Sequence, residues 1–280
     1  MSFNFTMFAQ NSDVDYVQQA CVAAMSIKVS NPTSKIALIT NDQVPSKYTE
    51  LFDHIVDIPW NDEATESVWK VENRWKIYHA TPFDETAVID TDMLVLSDLS
   101  HWYELLQDKD LFYVDKVLTY RGNLADNTYY RKAFRNHHLP NLYAGFHWFK
   151  KSDQAHKFFK VVETIMHNWE LFYGQFAGGK YFQKWPSIDV SSAIAAKILH
   201  CENDITLKTS FPTFTHMKLH NQGWDKLWVD SWQKQLGVYF DDDCNLTIGN
   251  YTQSGIFHYT EDDFCNNEIA NTYERKLGIC

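Results

Sequence analysis

Two aspartates in the first half of the chain have the type and spacing to hold a metal ion. Asp90 and Asp92 stand between two apolar runs in the stretch TAVIDTDMLVLS, residues 86–97. In an extended segment, residues two apart point to the same side, which would place both carboxylates together and turn Thr91 away. Carboxylates flanked by apolar strand need a cation or hydrogen bonds. The pattern favours a hard divalent metal that itself holds a diphosphate, although D-x-D also occurs in surface turns.

The composition is that of a globular protein. The 280 residues are enough for one large α/β domain or two small ones, and 45% of them are hydrophobic. No run approaches the roughly 20 apolar residues that a membrane helix needs. The five cysteines are scattered, with no C-x-x-C pair, and no basic and apolar leader begins the chain. These features predict a cytoplasmic protein with reduced thiols and no membrane span.

The charge and the aromatic content bear on the ligand. A formal net charge of −11 argues against a protein that mainly holds phosphate backbones, but one local basic surface would still allow a nucleic-acid partner. The 10 Trp, 15 Tyr and 19 Phe exceed what a core alone requires. Because aromatic faces stack on sugar rings and bases, this excess favours a carbohydrate or nucleotide ligand.

Strands and helices alternate through residue 90. Apolar patterning predicts strands at 3–8, 35–40, 54–58 and 86–90, separated by helices that begin at Val14 behind a Ser12 or Asp13 cap, at 46–52 and at 71–80. This alternation is typical of an α/β protein with a parallel sheet. Ligands of such sheets lie beyond the carboxyl ends of the strands, which is where Asp90 and Asp92 stand.

The second half continues with further elements and one basic loop. Helices are predicted at 100–106, from a Ser152 cap, at 188–199 and at the C-terminus, with strands at 111–118, 142–149 and 255–259. Residues 121–140 read as a long irregular loop that is basic in an otherwise acidic chain. The sequence contains no repeat or linker, so we expect a single domain over residues 1–280.

The order of these features resembles the nucleotide-sugar-dependent glycosyltransferases of the GT-A fold, and it is most similar to glycosyltransferase family 8. The likeness covers most of the chain as a series of short motifs. The opening MFAQNSDVDYVQQACVAAMSIKVSNP is similar to the family's first strand and helix, which hold the uridine. This resemblance implies donor-binding roles for Phe8, Ala9, Asn11 and Tyr16.

The stretch NRWKIYHATPFDETAVIDTDMLV is the most specific match, since the family also has a basic residue on a helix before its D-x-D strand. The resemblance implies that Asp90 and Asp92 bind the metal and the donor. It also implies that Arg74 or Lys76 faces the diphosphate or the donor sugar. A solvent-exposed helix face is the alternative for these two basic residues.

Two later motifs match in part. LYAGFHWFKKS is similar to the family's N-A-G strand, which implies that Ala144 and Gly145 let the donor sugar approach the backbone, but Tyr143 stands where Asn is usual. SIDVSSAIAAK places Asp189 where the family has D-Q next to the anomeric carbon, with Val190 in place of Gln. Asp189 would be the catalytic carboxylate, and a helix cap is its alternative role.

The third metal ligand implied by the family is a histidine near the C-terminus. His258 ends a late apolar strand, as that ligand should, and we select it over His216 and His220. His220 begins a stretch similar to the family's His-G-x-x-K-P-W motif. By the period of two, His216, Lys218 and His220 share one side of a strand and would contact donor phosphate or the acceptor.

The resemblance implies one fold and one activity. The fold is a single GT-A (Rossmann-like) domain with a mixed, mostly parallel central sheet and helices on both faces, in which 1–120 bind the nucleotide sugar and 121–280 form the acceptor side. The activity is a metal-dependent, retaining transfer of a hexose from a UDP-sugar, with Mn²⁺ or Mg²⁺ as cofactor. The expected lid over the acceptor carries four residues of the basic loop, namely Tyr129, Tyr130, Arg131 and Arg135.

The acceptor stays open at this point. A saccharide or small molecule is the first choice, because the chain is acidic, and a modified nucleic-acid base is the second. Two other functions fit the same residues. One is a UDP-sugar-binding protein without catalysis, which the departures at Tyr143 and Val190 would explain. The other is a metal-dependent nucleotidyltransferase, which also uses paired acids on an α/β sheet.

Overall fold

A computed structural model describes the chain at residues 2–61, 71–125, 131–177, 183–218 and 231–279. In chain order, its strands are β1 (Asn4–Phe8), β2 (Lys35–Ile39), β3 (His54–Val56), β4 (Glu85–Ile89), β5 (Met93–Val95), β6 (Leu111–Val114), β7 (Tyr143–Lys150), β8 (Phe214–His216), β9 (Val238–Phe240), β10 (Leu246–Ile248), β11 (Tyr251–Thr252) and β12 (Ile256–His258).

The α-helices are α1 (Tyr16–Ser30), α2 (Ile77–Ala80), α3 (Ser100–Leu106), α4 (Lys132–His137), α5 (Asp153–His167), α6 (Trp169–Ala177), α7 (Ile188–Leu199) and α8 (Asn267–Leu277). Three short 3₁₀ segments span Ser46–Leu51, Pro59–Asn61 and Val71–Lys76. None of the helices in the described ranges is both long and apolar enough to cross a bilayer.

A six-stranded sheet forms the centre, in the order β3-β2-β1-β4-β7-β6. The first four strands of this order are mutually parallel, whereas β7 runs antiparallel to both of its neighbours. This confirms the expected α/β class with a mixed, mostly parallel sheet. The parallel run places the carboxyl ends of β1 and β4 at one edge, side by side.

Each face of the sheet has its own apolar core. On β4, Ala87 and Ile89 enter the cluster that contains the buried side of α1, whereas Val88 enters the cluster that contains α5 and α7. This division follows from the alternation of side chains along a strand. Because helices pack on both faces, the central strands are apolar on both sides, as the uninterrupted run in β2 predicts.

A smaller sheet continues directly from the central one. The chain leaves β4, passes through residues 90–92 and enters β5, which pairs antiparallel with β12. On its other side β12 pairs in parallel with β8. The residues between β4 and β5 therefore lie where two sheets meet, and the C-terminal end of β12 is brought next to them.

Four local predictions are wrong in detail. The cap of α1 is Asp15, whose side chain accepts a hydrogen bond from the backbone N of Gln18 at 2.9 Å, rather than Ser12 or Asp13. The strand predicted at 111–118 ends at Val114, where its register with β7 shifts. The expected irregular loop 121–140 contains α4, since Ala133 and Phe134 pack into a core. The helix predicted from Ser152 through Trp169 ends at His167, and α6 starts anew.

A buried histidine in β7 makes stability depend on pH. The ring of His147 stacks on Tyr113, with centroids 4.8 Å apart, and its Nδ1 lies 2.9 Å from the carbonyl O of Ala144. Burial lowers the pKa of His147 to about 3, against 6.5 in an unfolded chain. As the pH falls below 6.5, the unfolded state therefore binds a proton at His147 that the folded state does not bind. The free energy of unfolding decreases as a result.

We expect His147→Gln to reduce this loss. The wild type should lose up to about 1.4 kcal/mol of unfolding free energy per pH unit at this residue between pH 6.5 and 4.5, and the variant should not. Urea unfolding at a series of pH values measures the difference. The exposed His101, replaced by Gln, is the matched control. Equal slopes for the wild type and His147→Gln would contradict the assignment.

Candidate metal centre

The turn between β4 and β5 carries both aspartates. The backbone N of Asp90 donates to the carbonyl O of Gly145 at 3.0 Å, and the carbonyl O of Asp92 accepts from the N of Tyr259 at 3.2 Å. Each aspartate is thus fixed to a different sheet. The segment is a turn and not the extended strand that the spacing predicts. Thr91 is nevertheless buried away from the carboxylates, and its hydroxyl donates to Gln19 Oε1 at 3.4 Å.

His258 completes a group of three potential metal ligands. It is the last residue of β12, and its Nε2 lies 2.8 Å from Asp92 Oδ2. One ligand atom from each of Asp90, Asp92 and His258 lies within 4.8 Å of the other two. Two carboxylates and one imidazole suit Mn²⁺, and the carboxylates also suit Mg²⁺. The donor set therefore fits the predicted cofactor.

The other predicted histidines and the lysine beside them lie differently. His216 ends β8 opposite His258, and the two rings stack with centroids 4.6 Å apart, so His216 packs against the candidate ligand. The strand stops at His216, so Lys218 does not share its side as the period of two predicts; Lys218 is exposed beyond the strand. His220 lies outside the described residues.

Arg74 is the basic residue that reaches the aspartates. It comes from the 3₁₀ segment Val71–Lys76, and its Nη2 donates to Asp90 Oδ1 and, at 3.4 Å, to the carbonyl O of Ala144. The neighbouring Lys76 is buried, with its Nζ 5.9 Å from the ring centroid of Trp60. Of the two basic candidates, Arg74 is therefore the one that the fold brings to the predicted donor site.

The two carboxylates differ electrostatically. Burial raises the pKa of Asp90 to about 6, and the nearby Asp92 adds to this rise, while the Arg74 guanidinium opposes it. Burial also works against ionisation of Asp92, but the charge and hydrogen bond of His258 outweigh it and hold the pKa of Asp92 below its usual value. Two buried acids at this distance favour a cation, which would stabilise both ionised forms.

Gly145 makes room for this arrangement. A Cβ at residue 145 would lie 2.6 Å from Met93 Cε and 3.1 Å from Asp90 Oδ2. Neither distance is normal for a Cβ contact, so any larger residue would push the Asp90 carboxylate out of place. The sequence resemblance gave Ala144 and Gly145 a role in donor approach; the structure adds that Gly145 leaves space for a metal ligand.

Asp189 belongs to a second buried charge network. It lies in the first turn of α7, where its Oδ1 accepts from the backbone N of Ala144 at 2.9 Å and its Oδ2 from Arg131 Nη1. Burial alone would raise the pKa of Asp189, but Arg131 and the Ala144 hydrogen bond lower it, so the carboxylate is ionised. The side chain thus reaches across to β7, which a simple helix cap would not do.

Arg131 is the residue that the sequence did not reveal at this position. Its guanidinium is buried, donates from Nε to Asn141 Oδ1 at 3.0 Å and also bonds the carbonyl O of Leu142. It stacks on the rings of Phe134 and Tyr143, at 3.8 and 4.1 Å from their centroids. Nothing local in the sequence pairs Arg131 with Asp189, since 58 residues separate them. Of the predicted acceptor lid, Arg131 is therefore buried in this network, Arg135 is exposed, and Tyr129 and Tyr130 lie outside the described residues.

The predicted uridine-binding residues follow the carboxyl end of β1. The backbone N of Ala9 donates to Ile39 O at 3.0 Å, and Asn11 Oδ1 accepts from the N of Val17 at 2.9 Å. Phe8 and Tyr16 are half-buried, and burial together with the charges of Asp262 and Asp92 raises the pKa of Tyr16. These residues lie at the same sheet edge as Asp90; their contact with a nucleotide stays a prediction.

Comparison with solved structures shows the fold. The chain is similar to the galactosyltransferase LgtC, solved with donor and acceptor sugar analogs, at a TM-score of 0.54 and 14% identity over 99% of this chain and 96% of that one. It is also similar to mouse xyloside xylosyltransferase 1, at a TM-score of 0.53 and 9% identity over 93% of this chain and 98% of that one. The glycosyltransferase GlyE of Streptococcus pneumoniae TIGR4 is similar at a TM-score of 0.51 and 14% identity, over 99% of this chain and 61% of that one.

The chain therefore has the GT-A-like fold of these glycosyltransferases, as the resemblance to family 8 leads us to expect. No protein-family model and no curated protein sequence matches it. Identities this low carry the fold and not the substrate, so the activity is argued below from this chain's own residues.

We expect Gly145→Ala to weaken metal binding by about tenfold, because the new methyl group displaces the Asp90 carboxylate; tenfold corresponds to about 1.4 kcal/mol. Titration with Mn²⁺ by calorimetry measures the affinity. Gly174→Ala is the control, since a Cβ at residue 174 meets nothing within 4 Å. Unchanged Mn²⁺ affinity in Gly145→Ala would contradict the proposed ligand role of Asp90.

We expect Arg131→Leu to cost about 3 kcal/mol of unfolding free energy, because it leaves the half-buried Asp189 carboxylate without its cation. Arg131→Lys should recover only part of this, since an ammonium cannot reproduce the planar fork. Urea unfolding measures both. Arg135, exposed on helix α4, which Arg131 immediately precedes, gives the control Arg135→Leu. A loss no larger than that of the control would contradict the network.

Proposed function

We propose that this chain is a metal-dependent glycosyltransferase that moves a hexose from a UDP-sugar to an acceptor. The observation that carries the proposal is the meeting of Asp90, Asp92 and His258 at the carboxyl edge of β4, within a fold shared with glycosyltransferases. Ligands of α/β sheets bind at this edge, and the three side chains come from two sheets that converge there.

Mn²⁺ or Mg²⁺ held by Asp90, Asp92 and His258 would supply positive charge to the diphosphate of the donor as the glycosidic bond breaks. Arg74, which contacts Asp90, adds a fixed positive charge beside the same position. The guanidinium already forms a hydrogen bond with the Ala144 carbonyl, so its orientation is set before the donor arrives. An oriented charge of this kind needs no reorganisation during the reaction.

Asp189 fits the sugar side of the site. It is ionised, and Arg131 and the Ala144 N–H hold it in place next to the backbone that the donor sugar is proposed to approach. A fixed carboxylate stabilises the positive charge that develops on the sugar. Because both oxygens already accept hydrogen bonds, electrostatic stabilisation suits Asp189 better than attack on the sugar. We propose retention of configuration from the family resemblance.

The acceptor is proposed to be a saccharide or a small molecule, in keeping with the acidic chain. LgtC, which shares the fold, was solved with an acceptor sugar analog. The cysteines described, Cys21, Cys201, Cys244 and Cys265, are free thiols, which supports the proposed cytoplasmic location.

One observation favours a second function, a UDP-sugar-binding protein without catalysis. Tyr143 replaces the Asn of the family motif, and its ring packs on Arg131 where a sugar-contacting amide is expected. Under this alternative the metal and the donor still bind, because Asp90, Asp92 and His258 are in place. Turnover separates the two functions, whereas binding does not.

We expect transfer or hydrolysis of a UDP-hexose that requires Mn²⁺ or Mg²⁺, and a loss of about 100-fold or more in kcat/KM in Asp92→Asn, since a ligand and one negative charge are removed together. A panel of UDP-, GDP- and CMP-hexoses, assayed for release of the nucleotide with and without chelator, measures this. Asp57→Asn, at an exposed position, is the control.

Three results would contradict parts of the proposal. Full turnover in Asp92→Asn would remove the metal centre from the reaction. Metal-dependent binding of the UDP-sugar with no product from any acceptor would favour the binding protein. Release of pyrophosphate from a nucleoside triphosphate would instead indicate a nucleotidyltransferase.

A further inference from the structure

Trp60 presents a large aromatic surface in an unusual backbone conformation. It lies in the segment after β3, its side chain is 60% exposed, and its φ and ψ are 67° and 17°. Left-handed angles are rare for a bulky residue, because Cβ approaches the backbone too closely. Such strain tends to persist where the surrounding structure and a function hold it in place.

The indole of Trp75 packs against one face of the Trp60 ring. The rings of Trp60 and Trp75 stack with centroids 5.3 Å apart and an interplanar angle of 16°. Trp75 is only 6% exposed, and its own ring packs edge-on against His79 and His167, at 5.8 and 5.2 Å. The inner indole is therefore held on several sides, and the outer one rests on it as a rigid platform.

Polar groups converge beside this platform. A cavity of about 230 Å³ is lined by Trp60, Trp75, Lys76, Glu163 and His167. Glu163 Oε2 accepts from Lys160 Nζ at 2.9 Å, but a carboxylate accepts about four hydrogen bonds, so capacity remains. His167 is exposed at the end of α5. The cavity thus offers an aromatic wall together with a carboxylate and an imidazole.

We propose that Trp60, Trp75, Glu163 and His167 form a saccharide-binding subsite that takes a pyranose ring stacked on Trp60. A pyranose has an apolar C–H face for the indole and hydroxyl groups that both donate and accept hydrogen bonds. Glu163 accepts from a hydroxyl, and His167 pairs with another. The subsite is an extra place for a sugar and does not require that the chain transfers one.

The charge of the cavity and of the chain favours a sugar over a nucleic acid. The Glu163 carboxylate would repel a phosphate, and a chain with a net charge of −11 lacks the excess of cations that holds a nucleic-acid backbone. Lys76 supplies one positive charge, but it is buried beside the indole rings, with its Nζ 5.9 and 6.0 Å from their centroids.

The subsite is separate from the metal centre but connected to it through the chain. Arg74 and Trp75 are adjacent in a 3₁₀ segment, in which successive side chains point about 120° apart. Arg74 turns to Asp90, and Trp75 turns to Trp60. A saccharide held on Trp60 would therefore not occupy the candidate metal centre, although the two sites share one short backbone segment.

Sugar binding by the whole chain, without metal or donor, tests this proposal. The probes are methyl galactoside, methyl glucoside, lactose, maltose and cellobiose. Saturation-transfer NMR and calorimetry measure their binding. We expect at least one of them to bind with a Kd in the millimolar range, and Trp60→Gly to weaken that binding by about tenfold or more. Trp185→Ala removes another exposed indole, 52% exposed, and should leave the binding unchanged.

Trp60→Gly also separates binding from folding. Because glycine adopts the left-handed conformation without strain, the melting temperature should stay the same or rise while sugar binding is lost. Asp92→Asn should keep the sugar binding, so a failure of the proposed transfer activity does not affect the result. Single-stranded DNA and UMP are assayed alongside the sugars as competing ligands. The proposal is overturned if no sugar binds, if Trp60→Gly binds the sugars as well as the wild type, or if Trp60 is needed only for binding single-stranded DNA or UMP.

Discussion

The constraint on which the site depends is the partial burial of two carboxylates at the junction of two sheets. Asp90 is tied to β7 through the Gly145 carbonyl and Asp92 to the strand end beyond β12 through Tyr259, so neither can turn away from the other. Burial makes the ionised forms costly unless positive charge lies close. The Arg74 guanidinium provides part of it, and His258 Nε2 lies 2.8 Å from Asp92 Oδ2. The fold thus holds the two carboxylates where a divalent cation would offset the remaining free-energy cost of their ionised forms.

A two-residue stretch of β7 links this site to the second charge network. The Gly145 carbonyl fixes Asp90, the Ala144 carbonyl accepts from Arg74, and the Ala144 N–H donates to Asp189. Small side chains are needed here because several polar groups share the same backbone, and a Cβ at residue 145 would meet the Asp90 carboxylate. The backbone of β7 therefore sets the distance between the proposed metal ligands and the proposed carboxylate on the sugar side.

The parts of the fold that local patterns encode were predictable. Apolar periodicity predicted the observed bounds of α3 and α7, and the D-x-D after an apolar run marked the end of β4, although not the turn that follows it. The position of His258 beside the two aspartates was predictable from the family resemblance and its place at the end of a late strand, whereas its role as a ligand stays a prediction. The pairing of Arg131 with Asp189 was not, because 58 residues separate them and only tertiary contacts with β7 join them, through the Tyr143 ring and the Ala144 N–H. The same holds for Lys76, whose burial beside Trp60 depends on tertiary contacts.

Charge balance explains why this set of residues suits a diphosphate. When Asp90, Asp92 and Asp189 are ionised, the guanidiniums of Arg74 and Arg131 leave one net negative charge in the two linked networks. A site with that charge would repel a diphosphate. A divalent cation at Asp90, Asp92 and His258 would reverse the sign and leave a net positive charge for the donor. Under the proposed function, this balance favours binding of the metal before or together with the donor, since the cation would supply the charge that the diphosphate requires.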